Sequence, residues 1–417
     1  MNCPRPLAKS LRLALLAVAT AGLAACTVPY ARLLEFAGDY HNTTSVGDLD
    51  GDGDLDVLLH NRRHEAEFTA FAVATFWLNQ GDAGFTGLRS VDSTILPGWA
   101  AQLGDLDADG AIDLVSFTGD RVYTAFGPAE LAPAAAPGFG SSHAALAPQS
   151  AAQFGDLLLG DLNGDGRLDG VVTGCCGRLF TLDPDEQAPN FSWAWVTTMD
   201  AQGRLTPQSA ALPALDGVAV RAAALGDLDG DGDLDLYAGL IGAPDRVLLN
   251  DGAGNFTDSG VRLGSDDSSD DSSSDGKGDS TAVALGDLDG DGDLDVLAGG
   301  EAAAVVWLNQ GGAQGGDLVL FGAGEQTLPA DRIRSLFLAD FDGDGTLDAL
   351  AAGIDTAAIW RNDGAGHFTD SGQRFRYSAR HGLAVADLDG DAQPDLFAAA
   401  YAEDSRVWYN QGSGVLR

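Results

Sequence analysis

Basic residues are scarce in this chain of 417 residues, with 23 Lys and Arg against 62 Asp and Glu and a formal net charge of −39. Such a surface repels phosphate backbones and anionic headgroups, which excludes nucleic acid as a partner. Past residue 25 no apolar run is long enough to cross a bilayer. Enzyme signatures are missing as well: there is no G-x-S-x-G elbow, no H-E-x-x-H, no Walker loop and no dinucleotide fingerprint. With no catalytic constellation in sight, the residues favour a non-enzyme and leave an enzyme open as the alternative. Histidine is rare, and only His60 and His64 cluster, beside Arg62, Arg63 and Glu65. That group is either a substrate-facing patch or a solvated turn. Of the four cysteines, Cys175 and Cys176 are adjacent. They form either a strained vicinal disulfide, stable only in an oxidising compartment, or two buried small apolar side chains.

What the chain has in excess is aspartate in register. A nine-residue pattern, D-x-D-x-D-G-x-x-D, recurs seven times with small departures, starting at Asp48, Asp105, Asp161, Asp227, Asp287, Asp340 and Asp387. The spacings are 57, 56, 66, 60, 53 and 47 residues, a period that means repeated supersecondary units packed on one another. Alternating Asp favours turns over helix or strand. Glycine at loop positions four and six admits positive φ, so the backbone can wrap around a point. Wrapping aims the carboxylates of positions one, three and five at one centre, with the carbonyl of position seven and the carboxylate of position nine to close it. An all-oxygen shell of that kind suits Ca²⁺ better than Mg²⁺. Without a cation the carboxylates repel, and they must either take up protons or open the loop. Position twelve is Leu59 in the first copy and Ala298 in the fifth, where an EF-hand would need Glu. Apolar residues at positions two and eight, such as Leu288 and Leu294, are expected to anchor the loop in the core.

These loops resemble the calcium loops of FG-GAP and VCBS repeats, the blades of integrin α-chain β-propellers, over nearly all the chain after residue 26. The resemblance implies up to seven Ca²⁺ ions, one per blade. In the first two loops the ligands would be Asp48, Asp50, Asp52 and Asp56, then Asp105, Asp107, Asp109 and Asp113. The third and fourth would use Asp161, Asn163, Asp165 and Asp169, then Asp227, Asp229, Asp231 and Asp235. The fifth and sixth would use Asp287, Asp289, Asp291 and Asp295, then Asp340, Asp342, Asp344 and Asp348. The seventh would use Asp387, Asp389, Asp391 and Asp395. Asn163 lowers the charge of the third site, and Ala392 stands in the seventh where glycine is expected.

A second repeated feature accompanies five of the loops. Asn79-Gln80-Gly81, Asn250-Asp251-Gly252, Asn309-Gln310-Gly311, Asn362-Asp363-Gly364 and Asn410-Gln411-Gly412 read as hairpin turns. Trp77, Trp307, Trp360 and Trp408 lie two residues before the Asn, a position expected to pack one unit on the next. Each unit is then four antiparallel strands, and the expected fold is all-β, a seven-bladed β-propeller with a calcium loop in each four-stranded blade. The second and third units are irregular. Residues 265–279, rich in Ser and Asp, are expected to form a flexible acidic loop. The last unit runs short, so Val28–Gly38 is expected to supply its missing strand and close the ring.

At the N-terminus, Arg5, Lys9 and Arg12 precede an apolar run ending Leu23-Ala24-Ala25-Cys26. Residues 1–25 read as an export signal. The ending resembles a bacterial lipobox, which implies lipidation at Cys26. Thr27 in place of Asp implies the outer membrane by the same resemblance, with membrane attachment through the anchor only. The functional expectation is a lipid-anchored binding or adhesion module with a protein or glycan ligand. The alternative is a carbohydrate-active enzyme resembling polysaccharide lyases.

Overall fold

The computed structural model describes residues 42–49, 51–63, 71–81, 84–91, 100–106, 110, 112–118, 121–126, 140–145, 157–174, 193–199, 205–212, 215, 218–264, 279–311, 321–322, 326–330, 332–377, 381–400, 405–412 and 414–417. Contacts divide the chain into two units. The first, residues 1–39 and 64–70, lies outside the described residues, and with it lie Cys26 and the expected closing segment 28–38. Outside them too lie Cys175, Cys176, His64 and residues 265–278. The second unit holds all the described strands.

These strands form seven antiparallel sheets, each a linear sequence of neighbouring strands. Their first strands are Asn42–Gly47, Ala100–Gly104, Leu157–Gly160, Ala219–Gly226, Ala282–Gly286, Ser335–Ala339 and His381–Ala386. The fourth sheet is typical: Ala219–Gly226 pairs with Asp235–Ile241, which pairs with Asp245–Asn250, which pairs with Phe256–Leu263. Six sheets have four strands, as the repeat pattern predicts. The seventh departs from it, with three strands among the described residues, His381–Ala386, Asp395–Ala400 and Arg406–Trp408. There Tyr409 and Arg417 exchange both backbone hydrogen bonds at 2.9 Å, beside a single bridge between Asn410 and Leu416.

The first strand of each sheet touches the first strand of the next, and His381–Ala386 touches Asn42–Gly47, so the contacts form a cycle. This packing explains the composition of the second strands. Val57-Leu58-Leu59 and Val296-Leu297-Ala298 are buried on both faces, because a sheet lies on either side of each. Outer strands alternate instead, as in Phe256–Leu263. The core is therefore a series of clusters between adjacent sheets, and the tryptophans sit in them as their position predicts. Trp360 packs with Leu288 and Leu297 of the preceding sheet, Trp307 with Leu228 and Tyr237, and Trp408 with Phe341. Trp77 meets Phe397 edge-on at 6.1 Å, joining the first sheet to the last.

The glycine just before a loop lets sheets approach closely. A Cβ on Gly160 would lie 2.6 Å from Leu234 Cδ1 of the next repeat. Leu234 occupies position eight of its loop, so that position presses on the preceding sheet. Position two is the buried anchor: Leu49, Leu106, Leu162, Leu228, Leu288, Phe341 and Leu388 are all under 9% exposed.

Candidate metal centres

Each loop is a set of nested turns built from its own carboxylates. In the fifth, Asp287 accepts from Gly290 N at 2.7 Å through one oxygen and from Gly292 N at 3.1 Å through the other. Asp289 accepts from Asp291 N at 3.3 Å, and Asp291 from Asp293 N at 3.0 Å. Gly290 and Gly292 have φ of 78° and 95°, the left-handed values their sequence positions predict. Ala392, the seventh loop's substitute for glycine, is held at φ 67°.

The wrapping brings ligand atoms together. Carboxylate oxygens of Asp227, Asp229 and Asp231 lie within 4.8 Å of one another, as do those of Asp287, Asp289 and Asp291. The same holds for Asp340, Asp342 and Asp344, and for Asp387, Asp389 and Asp395. Asp391 accepts from Gln393 N at 2.9 Å, the same turn that Asp291 makes with Asp293 N. In the first loop Asp48 accepts from Gly51 N and Gly53 N, Asp52 from Asp54 N, and Asp50 lies outside the described residues. In the second, Asp105 accepts from Gly110 N at 3.0 Å, and Asp107 and Asp109 lie outside. The third loop is different. Asp161 and Asn163 accept from Asp165 N, while the Arg167 guanidinium pairs with the Asp165 carboxylate and so sits on a candidate ligand. The sixth has Arg361 Nε 3.6 Å from Asp342 Oδ2.

The aspartate at position nine has a role that its place in the motif does not disclose. Asp56, Asp113, Asp169, Asp235, Asp295, Asp348 and Asp395 are all at most 1% exposed. In each, one oxygen accepts the N–H of position two in its own loop, as from Leu288 N to Asp295 Oδ2 at 2.7 Å. Where the hairpin Asn is present, the other oxygen accepts its backbone N–H, as from Asn309 N to Asp295 Oδ1 at 2.7 Å. The ninth carboxylate therefore ties the loop to the hairpin. Burial pushes Asp235 and Asp295 up to about 7, and Asp348 and Asp395 up to about 6, against the ordinary 3.8. Asp229, Asp289 and Asp389 are raised too, by burial first and then by the neighbouring aspartate.

These features fit a hard divalent cation. The donors are all oxygen, several carboxylates are held above their usual range by burial and then by one another, and buried Asp342 Oδ1 has no hydrogen-bond partner. Bound there, a calcium ion would neutralise the cluster and keep the carboxylates ionised.

Three further features are not announced by the loop motif. The hairpin Asn side chain reaches the preceding repeat: Asn309 Nδ2 donates to Leu228 O at 3.0 Å and to Leu294 O at 3.3 Å. The segments Thr257-Asp258-Ser259-Gly260-Val261-Arg262 and Thr369-Asp370-Ser371-Gly372-Gln373-Arg374 each hold a forked Arg–carboxylate pair, with shortest N–O distances of 2.6 Å. Their shared D-S-G-x-R spacing is the one signal of it in the sequence. Buried Asp245 accepts from Tyr237 Oη at 2.7 Å, Ser280 Oγ at 2.6 Å and Leu240 N at 2.8 Å, with no repeated motif to betray it.

The family model for the FG-GAP-like repeat matches residues 48–116, 161–238, 287–351 and 340–398. No curated protein matches the chain. Among solved structures, an Agrocybe aegerita lectin, solved for its specific recognition of non-reducing terminal N-acetylglucosamine, is 18% identical with a TM-score of 0.52. That alignment covers 91% of this chain and 89% of the lectin. The Vibrio cholerae biofilm matrix protein Bap1 is 14% identical with a TM-score of 0.43, covering 91% of this chain and 86% of its own. The likeness to the lectin is one of fold, a β-propeller.

Proposed function

The chain belongs to the FG-GAP-like repeat family, and from that premise we propose that it is a seven-bladed, calcium-binding β-propeller that presents a binding or adhesion surface to a glycan or protein. The observation that carries this reading is the convergence of three carboxylate oxygens in each of four successive loops. Loops committed to a cation are poor general acids, because the ion holds them ionised. Their role is to stiffen the turn between the first two strands of each blade, leaving the irregular second and third units free to vary as contact surfaces. The lipobox-like ending at Cys26 supports anchoring to the outer membrane after export, with residues 1–25 removed.

Purified full chain, with and without Ca²⁺, is to be screened on glycan and protein arrays and incubated with acidic polysaccharides. Calcium-dependent binding without new ultraviolet absorbance is the expected result. Absorbance growing with time would mark a lyase and overturn the binding-module reading. A Cys26→Ser form that stays in the membrane fraction would reject the anchor.

A further inference from the structure

We propose that the candidate metal loops three, four, five, six, seven and one are coupled through a single hydrogen-bonded chain whose inter-repeat links are the hairpin asparagines, and that loop two stands outside it. This rests on the calcium reading for its ligand, but the chain of contacts does not depend on it.

The links can be followed atom by atom. Leu288 lies between candidate ligands Asp287 and Asp289, and its N–H donates to Asp295 Oδ2 at 2.7 Å. The carbonyl of the same residue accepts Asn362 Nδ2 of the next repeat at 2.7 Å and, from the same hairpin, Gly366 N at 2.9 Å. The N–H of Asn362 donates to Asp348 Oδ1 at 2.8 Å, and Asp348 Oδ2 accepts Phe341 N at 3.2 Å. The Phe341 carbonyl then accepts Asn410 Nδ2 at 2.8 Å, and so on. In the other direction Asn309 joins to Leu228 at 3.0 Å and Asn250 to Leu162 at 2.9 Å. Asn79 joins to Leu388 at 2.7 Å.

The physical route follows from which groups are shared. When carboxylates on both sides of position two converge on a cation, the peptides between them are fixed. A fixed carbonyl holds the next asparagine, whose backbone N–H orients the ninth aspartate of its own loop. Occupancy of one loop thereby lowers the ordering cost of the next.

Loop two is bypassed for a chemical reason. Strand register places the hairpin position two residues beyond the partner of loop position ten. Counting two residues on in the sequence from the register partners Ala125 and Thr197 gives Gly127 and Met199, neither of which has a side-chain amide. Among the described residues no hairpin asparagine joins the carbonyls of Leu49 and Leu106 forward.

Hydrogen exchange read by mass spectrometry over a calcium titration resolves the loops separately. In the unaltered full chain, loops three to seven and one are expected to gain protection at a shared midpoint, with a slope steeper than single-site binding, and loop two at its own. Asn309→Ala removes one link, at a carbonyl that receives no second hairpin donor among the described residues. It should split the six into loops three and four and loops five, six, seven and one, with midpoints about five-fold apart, the ratio for one lost hydrogen bond. Asn250→Ala, cutting elsewhere, should separate loop three from the rest, and serves if the first variant does not fold. In chelator, either substitution should speed exchange about five-fold in the loops on both sides of the cut.

Independent midpoints in the unaltered chain, or variants that leave the grouping intact, overturn the coupling while leaving calcium binding in place. Loss of protection across the cut in chelator, with no response to calcium in any loop, would support the chain of contacts and reject the calcium reading.

Discussion

Asn79 donates through Nδ2 to the carbonyl of Leu388 at 2.7 Å, a buried contact across 309 residues of sequence. It joins the first repeat to the last, and Thr44 Oγ1 adds a second bond, to the Leu383 carbonyl. Asn79→Ala leaves the Leu388 carbonyl buried without this donor and also removes the 3.3 Å bond to Leu55 O. The expected loss is about 2 kcal/mol, read as a lower urea midpoint with an unchanged slope. Asn255→Ala, at an exposed hairpin residue whose side chain reaches Asp251, is the control and should cost far less.

Close approach of neighbouring sheets predicts that Gly160→Ala is destabilising. The new methyl would meet Leu234 Cδ1 at 2.6 Å, and overpacking of this kind costs about 1–3 kcal/mol. Adding Leu234→Val should recover part of the loss, and thermal melts of the single and double variants measure the recovery.

Ala392 sits at φ 67° in a place where the other described loops have glycine. The left-handed conformation costs an L-residue about 1–2 kcal/mol, and glycine gives some of that back in unfolded-state entropy. Ala392→Gly is therefore expected to raise stability by about 1 kcal/mol and to tighten calcium binding at the seventh loop. A lower melting temperature would contradict it.

The buried ninth aspartates give the chain a pH dependence whose sign depends on the cation. The carboxyls of Asp235 and Asp295 rise from 3.8 to about 7 on folding, and those of Asp348 and Asp395 to about 6. In chelator the folded state holds protons that the unfolded chain has released. Stability from this source is then greatest below pH 3.8 and is lost as pH climbs through the folded values. The melting temperature in chelator should therefore be lower at pH 8 than at pH 5. With excess Ca²⁺, which binds only the ionised form, the ordering should reverse.

The third loop should respond to losing its own cation. Arg167 pairs with Asp165, and Asn163 already lowers the ligand charge. Arg167→Ala should tighten calcium binding there, resolved by exchange protection of residues 161–169. Unchanged affinity would mean that this partly exposed pair is too screened to compete.

Much of this was legible in the sequence because the information is local and repeated. The seven Asp loops, the glycines with positive φ and the Trp position each predict their own surroundings, and the structure places Trp77 and Trp360 between sheets as expected. What escaped was longer in range. The Asn–Gly turns announce a hairpin, but nothing local says that Asn309 Nδ2 reaches Leu228 in another repeat. Position nine looked like a ligand and nothing more, because its two backbone donors come from residues 7 before and 14 after it in the fifth repeat. Asp245 is paired by Tyr237 of the neighbouring strand in its own sheet and by Ser280, just ahead of the next sheet, 35 residues along the chain.

The most direct test of the whole is metal content and melting of the same purified protein. Binding to the folded state alone adds about 2.7 kcal/mol per site at a hundredfold excess of ligand over Kd. Protein prepared in calcium should carry several ions per chain and lose many degrees of melting temperature on addition of a chelator, with recovery when Ca²⁺ is restored. Protein that carries no Ca²⁺ and melts at one temperature with and without chelator would contradict the account.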